Sequence, residues 1–293
     1  MSSNGSTVLV NGVESNSISV SDRGLAYGDG LFETLRIRNG QPPLWRYHKA
    51  RLKAGCQRLG IKLQFDLLEA ELEQLLNSMG LSGHSGTQDQ LVKILITRGQ
   101  GKRGYSPEGA DNPTRILFRS NYSVADSDYY QAGVAVRICS TRLGTNPLLA
   151  GMKHLNRLEQ VMARSEWISE YAEGLMCDLR GNVVDGTMSS FFVVKDRQLL
   201  AADLTDSGVE GVMRRFIMEH AENLGFSCHI NTIEPARLFD ADELFICNSL
   251  FGIWPVRLLV DGTGSTLKQQ QWSSGFPAAT AFQSLVASTL FPQ

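Results

Sequence analysis

Gly151-Met152-Lys153-His154-Leu155-Asn156-Arg157-Leu158-Glu159-Gln160 joins an irregular stretch, Gly144-Thr145-Asn146-Pro147, to a segment with helical character that starts at Leu158. Its lysine stands at the junction. A lysine held there and screened from water loses part of its proton affinity, which is what an amine needs to form a Schiff base. Most lysines are solvated surface charges, and local spacing alone favours that reading. The rest of the chain has to decide.

The chain has 293 residues, enough for two domains of ordinary size or one large one. A composition of 42% hydrophobic and 20% charged residues is that of a globular protein with a sizeable core. A formal net charge of −2 offers no global attraction to nucleic acid or an anionic membrane, so an anionic substrate would depend on local arginines. The polar Met1–Thr7 stretch runs straight into Val8-Leu9-Val10, without the basic and apolar segments of a signal peptide, and no apolar run has the length of a membrane span. Cys56, Cys139, Cys177, Cys228 and Cys247 form no C-x-x-C pair, and His48, His84, His154, His220 and His229 show no ligand spacing. The expectation is a cytoplasmic protein with free thiols and no metal site.

Short strands and helices mix along the chain. Val8–Val10 and Leu31–Arg38 read as strands, each followed by an Asn-Gly turn. Arg46–Leu59 and Phe65–Met79 carry helical periodicity, the second through Leu67, Leu68, Leu72, Leu75 and Leu76. Leu91–Thr97 and Thr114–Arg119 read as a strand pair around the loop Gly99–Asn112. Polar residues 121–127 suit a linker, which divides the chain into a smaller N-terminal domain (1–120) and a larger C-terminal domain (128–293) that carries Lys153. In the latter, strands are expected at Val134–Ile138, Gly174–Asp178, Ser190–Lys195 and Glu243–Asn248, with helices at Leu158–Tyr171 and Val212–Leu224. Irregular mixing of this kind points to a mixed α/β (α+β) architecture instead of regular βαβ winding.

Four segments carry candidate chemistry. Gly208-Val209-Glu210-Gly211-Val212-Met213-Arg214-Arg215 is a glycine-bracketed turn feeding a helix, which is either a plain cap or a phosphate cradle. Arg51 lies on the first helix, where a guanidinium can grip phosphate with two parallel hydrogen bonds or serve as a surface charge. Asp185 follows Val183-Val184 and precedes Gly186, a place suited equally to capping a turn and to holding a protonated pyridine nitrogen. Arg98, Lys102 and Arg103 gather among Gly99, Gly101 and Gly104, where backbone can approach a ligand and cations suit carboxylates; a solvated hairpin loop reads the same way.

Taken together, these segments resemble the aminodeoxychorismate lyase family of fold-type IV pyridoxal phosphate enzymes, a group that also holds branched-chain and D-amino acid aminotransferases. The resemblance runs from Ser21-Asp22-Arg23-Gly24-Leu25-Ala26-Tyr27-Gly28-Asp29-Gly30-Leu31-Phe32-Glu33-Thr34 to Phe245-Ile246-Cys247-Asn248-Ser249. Its lyase-specific parts are Lys153–Glu159 and the loop from Arg98 through Gly99, Gly101, Arg103 and Gly104 to Tyr105.

The resemblance implies a two-domain, D-amino acid aminotransferase-like fold with pyridoxal 5'-phosphate as cofactor and no metal. It makes Lys153 the Schiff-base lysine and catalytic base, and Arg51 a phosphate anchor. Val212 and Met213 would offer backbone N–H groups to the phosphate, Ser249 its hydroxyl, and Asp185 a partner for the pyridine nitrogen. Arg103, Tyr105 and Phe32 would face substrate. A cytoplasmic homodimer is implied, with the active site near the subunit interface, along with conversion of 4-amino-4-deoxychorismate to 4-aminobenzoate and pyruvate on the route to folate. Two further readings stand beside this one: a D-amino acid or branched-chain aminotransferase of the same fold, and a cofactor-binding protein without turnover. Two positions depart from the family pattern: Asp185 replaces a glutamate and Ser190 an asparagine. Aspartate is one methylene shorter, so the ring or backbone has to shift, or a water has to intervene.

Overall fold

The structure is a computed structural model that describes residues 7–77, 89–123, 127–264, 266–273 and 275–290. It divides into two compact units, Met1–Val124 with Lys153–Asn156, and Ala125–Met152 with Arg157–Gln293.

The first unit is built on an antiparallel sheet of β1 (Thr7–Val10), β2 (Val13–Glu14), β3 (Gly30–Ile37), β4 (Gln90–Thr97) and β5 (Thr114–Asn121), in the order β2-β1-β5-β4-β3. Its helices are α1 (Arg23–Tyr27), α2 (Trp45–Leu59) and α3 (Phe65–Asn77). On α2, Leu52, Gly55 and Cys56 are buried, and a Cβ added at Gly55 would lie 2.8 Å from Leu31 Cδ1 on β3, so the missing side chain permits close helix–sheet approach. On α3, Leu68, Leu72 and Leu75 keep the helical period into the core, whereas Leu67 points to solvent. The expected end of this helix, residues 78 and 79, lies outside the described residues.

Lys153–Asn156 belongs to this first unit, although the sequence places it in the C-terminal domain. The reason is backbone pairing along β3. Phe32 N–H donates to Lys153 O at 2.9 Å, Leu155 N–H donates to Gly30 O at 3.0 Å, and Leu31 bridges His154. The edge strand would otherwise leave these groups unpaired. The expected linker 121–127 is described only at residues 121–123 and 127.

The second unit holds β6 (Val134–Leu143), β7 (Glu173–Asp178), β8 (Val183–Gly186), β9 (Ser190–Lys195), β10 (Gln198–Ala202), β11 (Ser227–Asn231), β12 (Glu243–Asn248), β13 (Gly252–Asp261) and β14 (Lys268–Gln271). They run in the order β11-β10-β9-β12-β13-β6-β7-β8, with β14 on β13. The pairs β10/β11, β13/β6 and β6/β7 are parallel. The helices are α4 (Ser127–Gln131), α5 (Leu158–Arg164), α6 (Val212–His220), α7 (Pro235–Phe239) and α8 (Pro277–Leu290). Val136, Leu175, Phe191, Val193, Leu244, Ile246 and Leu259 form the core, where full burial of one such side chain stabilises by about 1.5–3 kcal/mol.

Two helices stop earlier than their periodicity predicts. α5 ends at Arg164, not at Tyr171, because the chain turns to bury Trp167. That ring fills the space over Gly174, its Nε1–H donates to Tyr171 O at 2.7 Å, and Arg164 donates to Trp167 O at 2.8 Å. α6 ends at His220 and is followed by a 3-10 turn, Glu222–Leu224. No described helix is long and apolar enough to cross a membrane.

Candidate active site

In the first unit, Lys153 is half-buried and its Nζ lies 4.5 Å from the centroid of the Phe32 ring. Both are fixed by the backbone bond from Phe32 to Lys153. The neighbouring Glu33 is fully buried and meets two groups from α2, His48 Nδ1 at 2.6 Å and Arg51 Nε at 2.8 Å. His48 and Arg51 are three residues apart, so one helix face presents both. Burial pushes the Glu33 carboxyl up, but the Arg51 guanidinium and then His48 outweigh it and hold the group down at about 2. Burial holds His48 below the ordinary histidine value against the pull of Glu33, with Arg51 and Lys153 adding to the depression. Arg51 is therefore a half-buried guanidinium oriented by Glu33 and not a solvated surface charge.

The three cations of the glycine loop separate. Arg98 is buried and committed to the fold, donating to Asp29 at 2.7 and 3.0 Å, to Leu59 O at 2.8 Å and to Gly60 O at 3.2 Å. Lys102 and Arg103 are exposed, as is Tyr105, whose ring packs 5.3 Å from that of Tyr27. Gly99 has φ +84°, and a Cβ there would fall 1.9 Å from Asn112 O, so no other residue fits.

In the second unit, Asp185 is buried near the end of β8, and its Oδ2 accepts the Val209 N–H at 3.0 Å. Arg157 lies close enough for the two charges to interact: burial lowers the guanidinium pKa and Asp185 raises it. The turn Gly208–Glu210 is laced to the residues just before Lys153. Gly151 N–H donates to Gly208 O at 3.0 Å, and Glu210 N–H donates to Gly151 O at 2.9 Å. Gly208 has φ +86° and no room for a Cβ against Val184 and Leu204.

Gly211 is the N-cap of α6 and brings no capping side chain, so the N–H groups of Val212 and Met213 have no acceptor within the helix and sit at its positive end. Their side chains are buried, which leaves the backbone as the part that can serve a ligand. A Cβ at Gly211 would lie 2.6 Å from Ser190 Oγ, so the smaller residue at 190 packs directly against this cap. Ser249 follows β12 in a turn shaped by Asn248, whose Oδ1 accepts the N–H groups of Leu250 and Phe251 at 2.9 Å and whose Nδ2 donates to Met188 O at 3.2 Å.

Sequence reasoning missed the groups that hold these candidates. Glu173, fully buried, accepts from Gly174 N–H, Thr187 N–H and Oγ1–H, Met188 N–H and Ser189 Oγ–H, and so clamps the turn that joins Asp185 to Ser190. Burial pushes its carboxyl up against these bonds. A carboxylate opening the apolar run Glu173-Gly174-Leu175 was the available signal. For Glu33 and His48, the signal was the three-residue spacing from His48 to Arg51. Among the described residues no group of His, Cys, Asp and Glu side chains is placed to hold a metal ion, and His84 lies outside them.

The family described as amino-transferase class IV matches residues 30–259. The protein belongs to this family. One class IV relative, an aminodeoxychorismate lyase of Vibrio harveyi, is 36% identical over 248 residues, covering 84% of this chain and 89% of the relative. A D-alanine aminotransferase of Bacillus licheniformis is 26% identical over 239 residues, covering 82% of each chain. The crystal structure of a 4-amino-4-deoxychorismate lyase from Pseudomonas aeruginosa superposes with a TM-score of 0.87 at 44% identity, covering 97% of this chain and 99% of that one. The fold is therefore the mixed α/β, fold-type IV class IV architecture that the motifs imply.

Proposed function

We propose that this protein is a pyridoxal 5'-phosphate-dependent lyase that converts 4-amino-4-deoxychorismate to 4-aminobenzoate and pyruvate. The observation that carries the reading is the Lys153–Leu155 segment, paired to the strand that bears Phe32, in a chain 44% and 36% identical to two proteins named as such lyases. The aminotransferase alternative has weaker support, at 26% identity to the D-alanine enzyme.

The residues present fit the cofactor. Gly211 and Ser190 leave a cap that a Cβ would fill, and the α6 N-terminus offers Val212 and Met213 N–H groups suited to a phosphate. Arg51, aimed by Glu33, and the Ser249 hydroxyl are the further phosphate ligands in this reading. Asp185, anchored on Val209, would hold a protonated ring nitrogen. When bound, the cofactor supplies an electron sink for the carbanion formed on deprotonation.

The chain's own work is then binding and proton transfer. Lys153 Nζ would hold the cofactor, and its amine would take the proton from C4 of the substrate. The C4–H and C3–O bonds break, a carbon–carbon double bond completes the aromatic ring, and the departing enolpyruvate takes up a proton to become pyruvate. Arg103 and Tyr105 bind the substrate's carboxylates, and Phe32 packs against its ring.

A homodimer is supported by the exposed apolar face of α5. Leu158, Val161 and Met162 lie at helical spacing on one surface that a second copy would cover. A cytoplasmic setting fits a soluble-enzyme substrate of this class and is part of the same reading. Lys153→Ala tests the assignment. It is expected to lose the visible absorbance of lysine-bound cofactor together with turnover; retention of full activity would overturn it.

A further inference from the structure

The block Ser21–Gly30 has no part in the chemistry above, yet it contains an arginine with four side-chain hydrogen bonds. Arg23 is buried on α1, and its Nε donates to Asp29 Oδ2 at 2.8 Å. Its remaining nitrogens reach three consecutive carbonyls of the glycine loop: Nη1 donates to Gly104 O at 3.0 Å and Ser106 O at 3.1 Å, and Nη2 donates to Tyr105 O at 2.9 Å. The guanidinium also lies 5.0 Å from the Tyr27 ring centroid, and Tyr27 in turn packs on Tyr105 and accepts the Gly104 N–H at 3.3 Å.

Asp29 is shared with Arg98, whose backbone N–H also donates to Asp29 O at 3.0 Å. The loop's other end is tied by Arg23 N–H to Gly99 O at 2.9 Å and by the bridge between Asp22 and Gln100. A Cβ at Gly101 would meet Arg23 Cδ at 2.8 Å, so the backbone passes directly over the arginine stem. A planar fork with five donors can satisfy three carbonyls and a carboxylate together; an ammonium cannot. Glycine-rich loops are otherwise conformationally loose.

We propose that Arg23, held by Asp29, is a positioning residue for substrate recognition: its guanidinium folds the Gly99–Ser106 loop into one conformation and thereby sets where Arg103 and Tyr105 stand. The inference rests on the role given to Arg103 in the lyase reading. Arg23 touches no reacting atom in this account. Its effect falls on substrate affinity, because a preformed loop spares the substrate the cost of ordering it.

The test compares Arg23→Lys, Tyr27→Phe, Arg103→Ala and the double variant Arg23→Lys/Arg103→Ala as cofactor-loaded full-length proteins. Three things are measured: amide hydrogen exchange of peptides spanning residues 99–106, KM and kcat with 4-amino-4-deoxychorismate, and the visible absorbance of the bound cofactor. For Arg23→Lys the expected result is at least tenfold faster exchange confined to that loop, KM raised about tenfold, kcat within about twofold, and unchanged cofactor absorbance. Tyr27→Phe, which leaves the guanidinium in place, moves exchange and KM the same way by a smaller factor and serves if Arg23→Lys does not fold. In the Arg103→Ala background, Arg23→Lys raises KM by a smaller factor than it does alone, because only the contribution of Tyr105 is left to lose. Unchanged loop exchange in both Arg23→Lys and Tyr27→Phe overturns the proposal, as does a fall in kcat without a change in KM. Should Arg103→Ala leave KM unchanged, the carboxylate role of Arg103 fails, and accelerated loop exchange in Arg23→Lys still decides the loop-ordering role of Arg23.

Discussion

The two units hold their candidate groups by opposite means. In the first, position is set by ion pairs at least partly shielded from water: Glu33 between His48 and Arg51, and Asp29 between Arg23 and Arg98. In the second, it is set by backbone amides and hydroxyls. Asp185 leans on Val209 N–H, Glu173 gathers the turn Thr187–Ser189, and Gly211 leaves α6 open at its start. The energetics differ accordingly. Removing one partner of a buried ion pair strands the other and costs roughly 3–5 kcal/mol, whereas one neutral hydrogen bond contributes about 1 kcal/mol. The first unit is therefore sensitive to single side chains, and the second to the glycines that permit close approach.

That contrast yields a graded set of outcomes. The largest is expected for Glu33→Ala, which leaves the buried His48 and the half-buried Arg51 without their carboxylate. Urea unfolding should show a loss of roughly 3–5 kcal/mol, with weaker cofactor retention. A loss under about 1 kcal/mol would remove the charge-based account of the first unit. Next comes Gly208→Ala, which combines a left-handed backbone with a Cβ 2.8 Å from Val184 and Leu204. A loss of about 2–3 kcal/mol is expected there, against about 1 kcal/mol for Gly40, which shares the left-handed backbone but has nothing within 4 Å of a Cβ.

Acidification should separate the units. The Glu33 carboxyl, held at about 2 against an ordinary 4.5, contributes stability present above pH 4.5 and lost as pH falls toward 2. His48, also depressed, adds in the same direction below its ordinary 6.5. Glu173 has the opposite sign: burial raises its carboxyl despite the bonds from Ser189 and Thr187, so its contribution is present below pH 4.5 and lost as pH rises through its folded value. Hydrogen-exchange protection, corrected for the intrinsic rate at each pH, should therefore fall more in β3 and α2 than in β7–β9 between pH 7 and pH 4. The reverse order would break the comparison.

Much of the scaffold was legible because it obeys local rules. β12 begins and ends where its apolar pattern does, and α2 follows its helical stripe to the left-handed Gly60. What escaped depends on partners distant in sequence. Lys153 joins the first unit because β3 needs an edge partner, which no periodicity encodes. Arg98 reads as a ligand-binding cation until Asp29 and two helix-end carbonyls claim it. α5 stops at Arg164 because Trp167 finds a vacancy over Gly174 on another strand. The candidate residues were readable from motifs; the carboxylates that aim them, Glu33, Asp29 and Glu173, were not, since a buried acid is recognised only by what surrounds it.

The smallest effect concerns the two departures from the family pattern. Ser190 already packs at 2.6 Å from the Cβ position of Gly211, so Ser190→Asn should crowd the α6 cap, whereas Asp185→Glu should be accommodated with kcat changed by less than about tenfold. Equal tolerance of both changes would mean that the cup is looser than its geometry implies.

The most direct test of the central claim is to give the purified, cofactor-loaded protein 4-amino-4-deoxychorismate and follow 4-aminobenzoate and pyruvate together. The account predicts both products in equal amounts, at a rate far above any transfer of amino groups from D-alanine or a branched-chain amino acid to 2-oxoglutarate. Amino-group transfer outpacing aminobenzoate formation, or no release of pyruvate, would contradict it.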